Sequence, residues 1–294
     1  MPGTELSCVA SISAFFPCFN DEATIASVVE TGRAALQRLA VPFELIVVDD
    51  GSTDRSGEVL RALANRCPEL RVVVHPRNRG YGAALISGFA ATRHDWIFYT
   101  DGDGQFDPAE VARLVERARP DVDLVQGFKT RRADGWTRTV VGNVYRAVAG
   151  RAFGLGVRDV NCDFRLIRAS KLDSITLACT SGAICVELVH KLERSGARVV
   201  EVPVSHYPRP AGRSQFLRVR RVALTLVQAA GLWCELARTR SRTRAPGGHS
   251  RTATTATDSP KGRFRRASRR RSSEASAPNV RDSRGRSMSE RGTG

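Results

Sequence analysis

Apolar runs and polar loops alternate regularly along the first hundred residues. Residues 8–16, 43–48, 70–75 and 96–100 read as strands, and the unbroken apolar character of 43–48 predicts burial on both faces. Between them, helices are expected over about 24–39, up to about 65 and over 80–92. Strands alternating with helices predict a mostly parallel sheet flanked by helices, each strand's carboxyl end delivering a polar loop to one edge. Further on, a helix over about 183–192 and a strand over 199–204 are expected. Residues 218–237 read as a helix, basic at Arg218, Arg220 and Arg221 and then almost wholly apolar from 222 to 234. That apolar part falls short of the ~20 residues a membrane span needs. It suits a helix lying in a membrane interface, with a core-packing helix that closes the domain of equal standing.

The strand over 96–100 empties into Asp101-Gly102-Asp103-Gly104-Gln105-Phe106-Asp107-Pro108. Carboxylates one residue apart repel each other unless a cation lies between them. Oxygen-rich sets of this kind suit Mg²⁺ or Mn²⁺, which keep phosphate oxygens as further ligands. An acidic surface turn is the plain alternative. The position favours a ligand, since open α/β sheets bind at the carboxyl ends of their strands, and the rest of the chain must decide. Asp107, ahead of Pro108, reads as a helix cap. Pro17 to Glu22 holds no glycine, and Gly80-Tyr81-Gly82 is followed only by Gly88, so the dinucleotide fingerprint fails; Gly-x-x-x-x-Gly-Lys-Ser/Thr is absent too.

At 41% hydrophobic residues over 294 positions, the chain has ample material for a core. Its charge is lopsided. From Arg238 onward stand 16 Lys and Arg against 4 Asp and Glu, so +12 of the net +16 lies in an Arg/Ser-rich tail with the composition of a disordered segment. Seven cysteines without a Cys-x-x-Cys predict buried reduced thiols, Cys8, Cys162, Cys179, Cys185 and Cys234 among them, rather than a disulfide or zinc framework. The start lacks the basic region of a signal peptide.

Four motifs in order, Pro17-Cys18-Phe19-Asn20-Asp21, Val47-Val48-Asp49-Asp50-Gly51-Ser52, Gly80-Tyr81-Gly82-Ala83-Ala84 and Asp101-Gly102-Asp103-Gly104-Gln105, resemble glycosyltransferase family 2. More narrowly they resemble dolichyl-phosphate mannose synthases and other polyprenyl-phosphate sugar transferases. Asp123 to Lys129, Val160-Asn161-Cys162-Asp163-Phe164-Arg165-Leu166, and Glu201-Val202-Pro203-Val204 with Arg209-Pro210-Ala211-Gly212-Arg213-Ser214-Gln215 extend the likeness to about residues 8–216. Lys129 and Gln215 depart from the family's arginine and lysine, and Asp21 stands where the family has Glu, with Glu22 adjacent.

The resemblance implies a GT-A fold, with a Rossmann-like nucleotide half and a mixed-sheet acceptor half. It implies inverting, metal-dependent transfer of a hexose from a nucleotide sugar of the GDP-mannose or UDP-glucose type to a polyprenyl phosphate. Asp101, Asp103 and Gln105 would hold Mg²⁺ or Mn²⁺, although Gln105 could equally be a loop-capping amide. Pro17, Phe19, Asp21, Val48, Asp50 and Asp101 would meet the nucleotide. Asp49 would brace its loop. Lys129, Arg138, Arg209, Arg213, Ser214 and Gln215 would grip the acceptor phosphate, with Asp101, Asp103 and Arg209 central to catalysis. Arg131 and Arg132 read as solvated cations, and Glu187 as a helix carboxylate paired with Lys191 ahead of the alternative that it faces the acceptor site.

The expected organisation is a catalytic domain over 1–216, an interfacial helix over 217–237 and a disordered tail over 238–294. The expected setting is cytoplasmic, peripheral on the inner face of the cell membrane; the tail reads as binding anionic lipid headgroups or as a functionless solvated extension, with nonspecific nucleic-acid binding disfavoured. Two rivals stand beside this reading. One is a family 2 transferase with a glycan, glycolipid or small-molecule acceptor. The other is a catalytically idle basic binding protein.

Overall fold

The structure, a computed structural model, describes residues 8–130, 153–211 and 219–243, with the side chains of the last helix described over 222–235. Its chain order is β1 (Ile12–Cys18), α1 (Ile25–Arg38), β2 (Phe43–Asp49), α2 (Ser56–Ala64), β3 (Leu70–Val74), α3 (Tyr81–Ala91) and β4 (Trp96–Thr100). A 3₁₀ turn over Pro108–Glu110, α4 (Val111–Val115), β5 (Leu124–Lys129), β6 (Phe164–Arg168), α5 (Ala169–Leu172), α6 (Ile184–Arg194), β7 (Val199–Val204) and α7 (Val219–Thr243) follow.

The seven strands form one sheet in the order β3-β2-β1-β4-β6-β5-β7. The β3-β2-β1-β4 half is parallel throughout, while β6 runs antiparallel to both β4 and β5, and β7 is parallel to β5. Because β6 is reversed twice over, β5 and β7 point the same way as β4. The carboxyl ends of six strands and the amino end of β6 therefore share one edge. This is how Asp163, just before β6, comes beside the loop after β4.

Alternate residues of β1 face opposite sides of the sheet, as the two-residue period requires. Ile12, Ala14, Phe16 and Cys18 join the core under α1, α2 and α4. Phe15 joins the other core under α3 and α6, stacked on Tyr99 at 5.2 Å and edge-on to Phe89 at 5.0 Å. Burying each such ring is worth roughly 1.5–3 kcal/mol. Gly88 makes that cluster possible, since a Cβ there would lie 2.4 Å from the Phe15 ring.

All seven cysteines are free, and five are buried. Cys234 is exposed, against expectation, because it lies on the outward side of α7. That helix begins near the expected place but runs on to Thr243. Among the described residues, no helix is long and apolar enough to cross a membrane.

Candidate active site

The loop after β1 and the loop after β2 are laced together. Asn20 N–H donates to Ser52 Oγ (3.0 Å) and Asp21 N–H to Ser56 Oγ (3.1 Å). Glu22 Oε2 accepts from Arg55 N–H at 2.8 Å, at the start of α2. Glu22 is thus committed to the loop and faces solvent, while Asp21 turns inward. Asp49 accepts from Ser52 N–H (2.9 Å) and braces its own turn.

Asp50 is buried and fully engaged. It meets His75 Nδ1 at 2.6 Å and accepts from the N–H groups of Arg79 (2.8 Å) and Gly80 (2.9 Å). Gly80 has φ 99, a left-handed backbone that suits glycine.

The loop after β4 carries the acidic centre. Asp101 accepts from the Tyr81 hydroxyl at 2.7 Å, and Asp103 from Gln105 N–H at 3.0 Å. Arg209 spans two carboxylates, with Nη2 2.5 Å from Asp103 Oδ2 and Nη1 3.5 Å from Asp21 Oδ1. Lys129 Nζ donates to Asn161 O (3.0 Å) and lies over the Phe106 ring at 5.6 Å, close enough to draw on Asp101 and Asp103.

Burial pushes Asp101 well above the ordinary carboxylate range, and repulsion from Asp163 and Asp103 adds to it. Burial also raises Asp103, against the pull of Arg209. Asp21 is pushed up to about 6, first by burial and then by Asp103, with Phe19 N–H and Arg209 opposing. The nearby cations do not offset this density of carboxylates. A hard cation beside Asp101 and Asp103 would relieve it, so the donor set fits one. Among the described residues no three His, Cys, Asp or Glu side chains form a ligating group. The protein therefore offers a partial set, of the kind completed by phosphate oxygens.

A family model for "Glycosyl transferase family 2" matches residues 13–176. The chain belongs to that family.

Among curated relatives of this family 2 chain, the "Undecaprenyl-phosphate 4-deoxy-4-formamido-L-arabinose transferase" of Pseudomonas paraeruginosa is 33% identical over 216 residues, covering 72% of this chain and 62% of the relative. The protein of the same name from Edwardsiella ictaluri is 30% identical over 215 residues, covering 72% and 65%. The chain thus spans less than two thirds of the length of these relatives. Among solved structures, glucosyl-3-phosphoglycerate synthase from Mycobacterium tuberculosis, in complex with Mn²⁺, UDP and glucosyl-3-phosphoglycerate, superposes with a TM-score of 0.58 at 26% identity. That match covers 76% of this chain and 80% of the other. The seven-stranded, mostly parallel sheet is the GT-A architecture of such neighbours.

The family 2 fold brings together Asp21, Asp101, Asp103, Lys129 and Arg209. Phe19 is half-buried at the rim, whereas Pro17 is buried and Val48 is 0% exposed, with its side chain in the core below the loop. Gln105 donates through its amide to Tyr207 O at 3.2 Å and accepts Tyr207 N–H on its backbone at 2.8 Å, which ties the β4 loop to the β7 loop. Asp107 caps the 3₁₀ turn through Ala109 N–H at 2.9 Å. Glu187 pairs with Lys191 at 2.7 Å. Arg131, Arg132, Arg138, Arg213, Ser214, Gln215 and the tail from 244 lie outside the described residues.

Sequence reasoning gave no role to Tyr81, His75 or Asp163. Tyr81 stands in a motif already singled out, and its place at the start of a helix on the ligand edge was the usable signal. Asp163 belongs to a buried network: Arg165, 0% exposed, donates to Asp163 (2.8 Å), Gln126 Oε1 (2.5 Å) and the Tyr99 hydroxyl.

Proposed function

We propose that this chain transfers a hexose or related sugar, with inversion, from a nucleotide-diphosphate sugar to a polyprenyl phosphate. The observation that carries the reading is Arg209 bridging Asp103 and Asp21 at the edge where the β4 acidic loop meets the loop after β7. A guanidinium has five N–H donors. Two point at carboxylates, and the remainder are available to an incoming phosphate, in the fork geometry that phosphate favours.

Asp101 and Asp103 would hold a divalent ion, Mg²⁺ or Mn²⁺, with Gln105 locking the loop they share. A cation bound there supplies charge that offsets the charge developing on the leaving diphosphate. Tyr81, its hydroxyl kept protonated by burial and by Asp101, orients Asp101. Asp21, Asp50 and the Phe19 rim would line the nucleotide, with Pro17 and Val48 shaping its floor. The acceptor's phosphate, with a second pKa near 6, is largely ionised at neutral pH. A phosphate oxygen then bonds to the anomeric carbon as the bond from that carbon to the diphosphate breaks. No strong base is required, only alignment, which Lys129 and Arg209 would provide, with Arg138, Arg213, Ser214 and Gln215 as further candidates.

The same reading places the protein on a membrane surface. Thr225, Gln228, Ala229 and Leu232 of α7 turn toward the protein, while Val222, Leu224, Leu226, Val227 and Trp233 are exposed. A helix packed on a soluble domain keeps its polar face outward. Here Thr225 and Gln228 point inward with Ala229 and Leu232, while five large apolar side chains point outward, which suits a lipid interface. Free thiols and the basic tail agree with the cytoplasmic face of the membrane and its anionic lipids.

A second reading has one observation in its favour: the solved neighbour was captured with a small phosphorylated product. One experiment separates the two. Purified protein with Mn²⁺ or Mg²⁺ is offered a panel of nucleotide sugars, with polyprenyl phosphate, 3-phosphoglycerate or water as acceptor. Under the lipid reading, Arg209→Ala lowers transfer to polyprenyl phosphate by ~10²-fold while hydrolysis of the donor by water falls much less. Equal loss of both rates leaves Arg209 a structural residue. Wild-type transfer to phosphoglycerate alone selects the second reading.

A further inference from the structure

Residues 178–181 form a strap whose four consecutive N–H groups are all taken up by two side chains. Glu187 on α6 accepts from Ala178 (3.0 and 3.1 Å) and Cys179 (2.8 Å). Gln228 Oε1 on α7 accepts from Thr180 N–H (3.1 Å), Ser181 N–H (3.0 Å) and Ser181 Oγ (2.7 Å). Gln228 Nε2 donates to Thr180 Oγ1 at 3.0 Å. Gln228 is the one amide in the apolar run from 222 to 234, and its carbonyl oxygen and one amide N–H go to this strap.

The other side of the strap lies on the first turn of α3 with no room to spare. Thr180 O accepts Gly82 N–H at 2.9 Å. A Cβ on Gly82 would lie 2.3 Å from Cys179 O, and one on Gly80 2.6 Å from Thr180 O. That turn holds both halves of the donor site, through Arg79 and Gly80 N–H on Asp50 and the Tyr81 hydroxyl on Asp101. Contacts this close transmit displacement, because packed backbone cannot absorb it.

We propose that Gln228 is a positioning residue for the donor: it sets the strap, the strap sets the first turn of α3, and that turn sets Asp50 and Asp101. The inference rests on the nucleotide-sugar reading above. It makes the lipid-facing helix and the donor pocket parts of one rigid connection. Replacing Gln228 by Leu, of similar bulk, leaves two strap N–H groups without an acceptor, so the strap moves to find one.

The test reads nucleotide affinity without turnover. Full-length protein is titrated with UDP and with GDP, each with Mn²⁺, by calorimetry, alongside thermal melts. Gln228→Leu should weaken the nucleotide that wild type binds by about tenfold. Gln228→Glu keeps acceptor oxygens for both N–H groups and should restore most of the affinity. Leu232→Ala removes a buried side chain of the same helix that packs with Phe153 and Val186 and is not itself bonded to the strap; it should lower Tm yet leave affinity unchanged. A folded Gln228→Leu protein that binds as wild type overturns the proposal, as does a Leu232→Ala protein that loses as much affinity. Wild type that binds neither nucleotide overturns the donor reading itself.

Discussion

Asp21 is the residue where burial, charge and function conflict most openly. Its carboxyl ordinarily titrates at 3.8 and is pushed up to about 6 here, first by burial. Below about pH 4 both the folded and unfolded chains carry the proton, and the group contributes nothing to the pH dependence of stability. As pH rises from 4 to 6 the unfolded chain ionises first, so folding is progressively penalised, and the cost levels off above 6. A rise from 3.8 to about 6 corresponds to at most about 3 kcal/mol. Asp21→Asn should therefore be more stable than wild type at pH 8, with the difference vanishing near pH 4. Urea unfolding at four pH values measures it, and an unchanged difference across that range would remove burial as the cause. Asp103 repels Asp21 and shares Arg209 with it, so its own titration shifts in the variant and the measured difference belongs to the pair. A site that keeps such a carboxylate ionised at neutral pH is poised to gain from a bound cation.

Among the elements, α7 invites the clearest test. Leu226 and Val227 are 58% and 68% exposed, so replacing both by Gln should cost little folding energy. Each loses apolar area that would otherwise enter lipid, worth up to ~1.5–3 kcal/mol per side chain when fully buried. Flotation with neutral vesicles should show binding weakened tenfold or more; equal flotation would detach this face from lipid. β2 and β4 were legible because their apolar runs end abruptly in aspartates, and the run before Asp101 marks β4 to the residue; β1 lies at Ile12–Cys18 rather than the expected 8–16, since no charge marks its end. The reversal of β6 was not legible, since Phe164–Arg168 carries two arginines among three apolar residues and nothing local gives a strand's direction. Arg165 is tolerable inside only because Gln126, Asp163 and Tyr99, far apart in sequence, converge on it. Gln228 was illegible for a related reason, as its partners stand 47 and 48 residues away.

At the scale of the whole molecule, the proposed membrane attachment would divide its work between two segments, one charged and one apolar. Residues 244–294 carry 13 Lys and Arg against 4 Asp and Glu, which is +9 of the net +16. A basic segment near an anionic surface gains roughly 1 kcal/mol per cation, an attraction that fades within a Debye length of about 8 Å at physiological salt. The apolar face of α7 owes nothing to salt. Cutting after Thr243, where the helix ends, should therefore weaken binding to anionic vesicles steeply at low salt and only slightly at high salt, while binding to neutral vesicles stays as it was. Transfer to a short, water-soluble acceptor phosphate should be unaffected, because every described site residue precedes the cut. The Leu226/Val227 double variant should show the reverse: loss on both vesicle types, with the salt dependence intact. If truncated and full-length chains float equally with anionic vesicles at low salt, the tail has no part in lipid binding, and under the proposed function α7 alone would bring Arg209 within reach of the acceptor.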